Sequence, residues 1–148
     1  KVTGHGTMAE FATYPSLRDR GVIVTGGASG IGAAIVEGFA AQGAKVGFID
    51  LVADAAAALK EATPGTVEYE IADLRDIDAM KAALAALRTR TGPFTTLVNN
   101  AARDDRHDWQ GVTPEFWDER MATNLRHLFF ATTTKQCQIN HILHLLNV

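Results

Sequence analysis

Hydrophobic positions along residues 1–131 fall into four short apolar runs separated by stretches of helical spacing. Gly21-Val22-Ile23-Val24-Thr25 has no polar alternation and predicts a strand buried on both faces. Lys45–Asp50 and Phe94–Asn99 are two further strand candidates, while Thr66–Ile71 alternates, as an edge strand with one wetter face does. Between them, Ile31, Ala34, Ile35, Gly38 and Phe39 recur at i, i+3, i+4, i+7 and i+8, predicting a helix that lays this stripe on a sheet. Residues 52–62 are Ala-rich and helix-favouring, and Pro64-Gly65 stops them. Ile77, Met80, Leu84 and Leu87 form the buried face of a third helix. A fourth opens with Thr113 as N-cap and Pro114 at the first helical position, and carries the stripe Trp117, Met121, Leu125 and Leu128. Strand–helix units of this length imply βαβ crossovers, hence an α/β fold with a doubly wound parallel sheet.

The pattern breaks near the end. Residues 1–131 hold 24 alanines, whereas Thr132–Val148 holds no Ala, no Gly, no acidic residue and the only cysteine. The expectation is one domain over residues 8–131, its sheet stopping after the fourth strand and fourth helix, followed by an atypical tail at 132–148. Residues 1–7, ahead of Met8, read as an added leader outside the fold. Left bare, the fourth strand would present Thr95-Thr96-Leu97-Val98 on an open edge, which the tail or a partner subunit must cover.

Composition narrows the function classes. With 148 residues, 47% hydrophobic and 21% charged, the chain is that of an ordinary globular domain. A net charge of -3 and no Lys/Arg run leave nucleic acid little to hold. The longest uncharged stretch, Gly21–Val36, is interrupted by Gly, Thr and Ser and too short to span a bilayer. A cytoplasmic protein is expected. The single Cys137 excludes an intramolecular disulfide. His141 and His144 near it have no carboxylate close in sequence, so no metal site is assigned.

Thr25-Gly26-Gly27-Ala28-Ser29-Gly30-Ile31-Gly32 sits where the first strand hands over to the first helix. Glycines there let the backbone turn sharply and let a pyrophosphate approach free N–H groups at the positive end of the helix. Gly26, Ser29, Gly30, Ile31 and Gly32 are therefore expected to hold the diphosphate of a dinucleotide, with Gly32 also bringing helix and strand close. Asp50 ends the second strand 20 residues beyond Gly30, where a carboxylate accepts from ribose hydroxyls. It could equally cap the next helix, and the two duties are compatible. A carboxylate there repels a 2′-phosphate, and neither Ser29 nor the neighbouring Leu51 offers a cation. NAD is expected over NADP.

Taken in order, Thr25–Gly32 with Asp50, then Ala72-Asp73-Leu74, then Asn99-Asn100-Ala101-Ala102, resemble the short-chain dehydrogenase/reductase family over about residues 17–131. The resemblance implies a Rossmann-like domain in which Asp73 and Leu74 hold the adenine and Leu51 lies beside the ribose. It further implies that Asn100, with Ala101 next to it, steadies the central strand beside the cofactor. Ala102 replaces the family's usual Gly, implying a slightly tighter turn. Asn124 lies seven residues after Trp117 on the same helical face, where an amide turned toward a core must find partners. On its own residues it could relieve a helix bend around a bound water. By the resemblance it is the catalytic-relay residue, holding a water of the proton relay.

The segments Asp104-Asp105-Arg106-His107, Trp117–Arg120 and Asn124–His127 are similar to those of NAD-dependent sugar 1-dehydrogenases of the D-xylose type. Most of these charges are expected to be structural, a solvated loop and an outer helix face joined by ion pairs. The resemblance implies a homodimer or homotetramer built through the fourth helix.

The family's base is a Tyr in Tyr-x-x-x-Lys, its pKa lowered by the Lys, with a Ser positioning the substrate oxygen; an unassisted tyrosine is too weakly basic near pH 7. Arg18 follows Tyr14 by four residues and Asp73 follows Tyr69, so neither tyrosine fits. The expectation is the N-terminal half of an NAD-dependent oxidoreductase acting on a hydroxyl or carbonyl of a small polar substrate, an aldose at C1 among the candidates. As written, this half should turn over little or nothing. The rival reading is a catalytically silent dinucleotide-binding module.

Overall fold

The computed structural model describes residues 12–135 and, for the backbone alone, His144–Asn147. The four expected strands form at Gly21–Thr25 (β1), Lys45–Asp50 (β2), Val67–Ile71 (β3) and Phe94–Asn99 (β4). Helices α1 (Gly30–Ala41), α2 (Ala53–Ala62) and α3 (Ile77–Thr91) connect them. A long helix follows as α4 (Pro114–Met121), a π-helical turn at Ala122–Arg126, and α5 (His127–Thr133). The sheet is wholly parallel in the order β3-β2-β1-β4-β5, with β5 at His144–Asn147.

Strand alternation sorts side chains between two cores. Val22, Val24, Val46, Phe48 and Val98 point to one face, where Val36 and Ala40 of α1 and Ala56 and Leu59 of α2 cover them. Ile23, Ile49 and Leu97 point to the other, against Met80, Leu84 and Leu87 of α3 and Ala131 of α5. β1 is buried along its whole length, as its unbroken apolar run requires. β3 pairs only with β2 and is partly exposed, the edge its alternation predicts. Asp76 caps α3 by accepting from the backbone N–H of Asp78 and Ala79, both at 3.0 Å.

Two helix faces differ from the expected stripes. On α1, Ile31, Ala34 and Gly38 are exposed, and the buried positions are Gly32, Val36 and Ala40. The helix is rotated because Gly32 alone permits contact with the end of β1. On the long helix most of the stripe faces solvent: Trp117 is 59% and Leu125 53% exposed, Leu128 alone is half-buried, and α4 buries no residue. Thr113 does cap it, its Oγ1 accepting from the Phe116 N–H at 3.2 Å.

β5 comes from the atypical tail. Its backbone pairs in parallel with Thr96–Asn99, so the strand edge that would otherwise lie open is occupied. Residues 1–7, Cys137 and His141 fall outside the described residues, as do the side chains of β5. Deleting residues 136–148 is expected to bare the β4 edge and raise light scattering on concentration. Unchanged monodispersity would show that the tail strand protects nothing.

Candidate functional site

The order of the strands creates the site. From β1 the chain runs outward to β2 and β3, then returns to place β4 on the opposite side of β1. The loops leaving β1 and β4 therefore diverge at a topological switch point, where open α/β sheets bind ligands. A cavity of about 590 Å³ lies there, lined by the glycine loop, Asp50, the Ala72–Arg75 turn, the Asn100–Asp104 loop and Glu119 and Thr123 of the long helix.

Its floor is a tight backbone contact. A Cβ on Gly32 would lie 1.8 Å from the Gly26 carbonyl oxygen and 2.7 Å from Asn100 Nδ2. Gly26, at φ +67°, also leaves little room, its Cβ position lying 2.9 Å from the Ala101 Cα. Asn100 donates its amide to the carbonyls of Thr25 and Gly26 at 3.1 and 2.8 Å. The Thr25 hydroxyl oxygen accepts from the N–H groups of Asn100 and Ala101 at 3.0 and 3.1 Å. Gly30 is different: at φ +55° it has nothing within 4 Å of where a Cβ would sit, so its backbone faces open cavity. With Ser29 and Ile31, it exposes the first N–H groups of α1, which have no partner within the helix. This cradle fits a diphosphate.

Asp50 reaches across from β2. One carboxylate oxygen accepts from the Ala28 N–H at 2.8 Å, fixing the glycine loop; the other accepts from Leu51 and Val52 at 2.7 and 3.1 Å. Leu51 itself is exposed at the cavity mouth and Leu74 is buried. Asp73 holds Arg75 through both carboxylate oxygens at 2.6 to 3.0 Å, and the Arg75 side chain holds its carboxyl below the ordinary carboxylate range.

The remaining charges form a web over the loop after β4. Arg103 and Arg120 both grip Asp105, at 2.7 and 2.8 Å, which lowers its pKa. Glu119 meets Arg75 at 3.4 Å and Arg103 at 3.5 Å. Arg120 also lies 4.7 Å from the Phe116 ring, on which His107 stacks at 3.9 Å. Structural ion pairs were the expectation for these segments, and the geometry shows them.

Asn124 departs from expectation. It is exposed rather than turned to a core, and forms a reciprocal pair with the peptide of Arg103: Oδ1 accepts from the N–H and Nδ2 donates to the carbonyl, both at 2.8 Å. The π turn around it shifts the helical phase so that the amide faces the loop. The same shift buries His127, expected on the outer face, at 0% exposure. Its ring nitrogens make no hydrogen bond, and burial lowers its pKa although the carbonyls of Thr123 and Ala122 partly oppose this.

The cavity thus gathers every residue expected for the dinucleotide, while Asn124 stands behind the loop instead of lining it. Sequence reasoning missed the lining residues Arg75, Arg103, Asp104, Glu119 and Thr123. The available signals were the position of Arg103 and Asp104 directly after Ala102 and the resemblance of the segments holding Asp104 and Glu119 to sugar 1-dehydrogenases; the charges there were read as structural. Among the described residues no group of three or more His, Cys, Asp or Glu could hold a metal, and no helix is long and apolar enough to cross a membrane.

Comparison with known proteins gives the class. The family model for short chain dehydrogenases matches residues 20–138, and the chain belongs to that family. It is 54% identical, over 79% of its length, to a probable galactose dehydrogenase of Rhizobium meliloti, and 44% identical, over 82%, to D-xylose 1-dehydrogenase of Caulobacter vibrioides. It covers 47% and 48% of those proteins, so the chain spans about half the length of the curated relatives it matches. A short-chain dehydrogenase/reductase from Serratia marcescens superposes with a TM-score of 0.77 at 32% identity, over 84% of this chain and 51% of that one. Other solved neighbours hold NADH, in a Brucella melitensis reductase (26% identity, TM-score 0.73, 78% of this chain and 48% of that one), and NADPH, in a metagenomic blue fluorescent protein (32%, 0.76, 83% and 52%). The family binds nicotinamide dinucleotides of both kinds.

His127 yields a test of the packing behind the site. Its folded pKa lies below the ordinary 6.5, so in acid the unfolded chain takes up a proton that the folded chain resists. Stability is full above that value and falls as pH drops below it. Between about pH 7 and 5 the melting temperature is expected to decline in the parent protein and less steeply in His127→Leu. Equal slopes would show that His127 does not set the acid sensitivity.

Proposed function

We propose that this chain is the dinucleotide-binding part, residues 8–131, of an NAD-dependent cytoplasmic oxidoreductase acting on a hydroxyl or carbonyl of a small polar substrate, an aldose at C1. The supporting observation is the open cradle at Gly30 facing a carboxylate already anchored on the same loop. Gly26, Ser29, Gly30, Ile31 and Gly32 would bind the diphosphate, Asp50 and Leu51 the adenosine ribose, and Asp73 and Leu74 the adenine. Asn100 and Ala101 line the far end. NAD supplies the hydride acceptor when bound. Asp50 favours it over NADP, since a 2′-phosphate would meet a carboxylate and both lining guanidinium groups, Arg75 and Arg103, are paired with acids.

Asn124 keeps one acceptor site on Oδ1 and one hydrogen on Nδ2 beyond its bonds to Arg103, enough to hold a relay water. The base and its lysine are not among these 148 residues, so this stretch should turn over little. The solvent-facing Trp117, Met121, Leu125 and Phe129 support assembly of a homodimer or homotetramer through the long helix. The silent module remains the rival reading, favoured by the absence of any Tyr-x-x-x-Lys. Both readings expect little turnover of aldoses with NAD by these 148 residues, and appreciable turnover would exclude the silent module.

Calorimetry tests the cofactor. Asp50→Ala is expected to weaken NAD about tenfold or more while changing NADP less, because a charge-assisted bond is lost only with the former. Equal losses for both would mean that Asp50 serves the loop alone. Gly30→Val should abolish binding of either by filling the cradle, and normal binding would place the diphosphate elsewhere.

A further inference from the structure

Six ionisable side chains line the cavity: Asp50, Asp73, Arg75, Arg103, Asp104 and Glu119. Five are engaged. Asp50 accepts from three backbone N–H groups, Asp73 holds Arg75, and Glu119 meets both arginines. Asp104 is the exception: among the described residues its carboxylate has neither a hydrogen bond nor an ion pair. Its neighbours on both sides are fixed, the Arg103 peptide by Asn124 and the Asp105 carboxylate by Arg103 and Arg120. Asp104 is therefore an acceptor presented on a clamped loop, with much of its ordering cost met by folding rather than on binding.

The charge of the wall restricts what meets it. Four acids against two arginines give a formal -2, and both arginines are paired. An anionic substrate would find repulsion and no available cation. A neutral polyhydroxyl compound brings O–H donors to an exposed carboxylate that makes no bond within the described residues.

We infer that Asp104 is the substrate-recognition group of this cavity, gripping hydroxyls of an uncharged polyol or aldose and rejecting phosphorylated or carboxylated sugars. The inference rests on the dinucleotide reading, which leaves the Ala102–Asp104 end to the substrate.

Saturation-transfer NMR on the full chain, with and without NAD, compares D-galactose and D-xylose with D-galactonate and D-galactose 6-phosphate. The parent protein is expected to bind the neutral sugars and neither anion. Asp104→Ala should weaken the neutral sugars about tenfold and Asp104→Asn less so, with D-galactonate gaining in both and NAD affinity held within about twofold. Unchanged aldose affinity in Asp104→Ala, or anions bound as well as neutral sugars by the parent, would overturn the assignment. NAD binding without any aldose signal overturns only Asp104's role, whereas absence of NAD binding in the parent overturns the cofactor reading beneath it.

Discussion

The Gly26 carbonyl is the point on which the architecture closes. It lies where a side chain on Gly32 would be, and it accepts the amide of Asn100. One oxygen thereby joins the end of β1, the start of α1 and the loop after β4. Any Cβ at position 32 would push α1 away from the sheet, opening the angle at which its first N–H groups meet the cavity. The rotation of α1 that buries Gly32, Val36 and Ala40 follows from the same contact. Packing and ligand geometry are here one constraint rather than two.

Beyond that point the site is held by charge. The loop after β4 has no regular structure until Trp109–Gly111, yet it is tied at Arg103 by Asn124 and at Asp105 by two guanidinium groups. Exposed pairs of this kind contribute little singly, about 0–1 kcal/mol each, and more as a network with shared members. Arg120 is such a shared member: largely buried, it binds Asp105, lies over Phe116 and reaches the Arg103 carbonyl. The web leaves the Ala102–Asp104 end of the cavity without a free cation, which is why a neutral surface of hydroxyls suits that end, while a diphosphate is left to the backbone N–H groups at Gly30.

Much of this was legible in the sequence, and the exceptions share a cause. The four strands, the glycine turn and Asp50 were readable because each depends on local chemistry: an unbroken apolar run, glycine where backbone must approach backbone, an acid at a strand end. The cap at Thr113 is local in the same sense. The faces of α1 and of the long helix were misjudged because periodicity reports which positions are apolar, not which way a tertiary contact turns them. Trp117, Met121 and Leu125 form a real stripe, but it points outward. His127 was hidden further by the π turn, since an extra residue in one turn displaces every later position around the axis. No arithmetic on a spacing of 3.6 residues would have found it. The edge-covering strand His144–Asn147 was foreseen only as a need, because the change of composition at Thr132 set the tail apart and its apolar run Ile142–Val148 was not read as a strand.

Asp50 shows how stability and recognition come to share a group. Its carboxylate offers about four acceptor sites, of which three are taken by Ala28, Leu51 and Val52. The open one belongs to the oxygen that also holds Ala28. A ribose hydroxyl bound there would draw on the same charge that fixes the glycine loop, so ligand and loop conformation are coupled through a single oxygen. A strong donor at that site would also place the loop while the diphosphate is being bound. In the proposed reading the acid would act as a spacer as much as a recognition group: by holding the glycine loop to the end of β2 it fixes the distance between the diphosphate cradle and the ribose position.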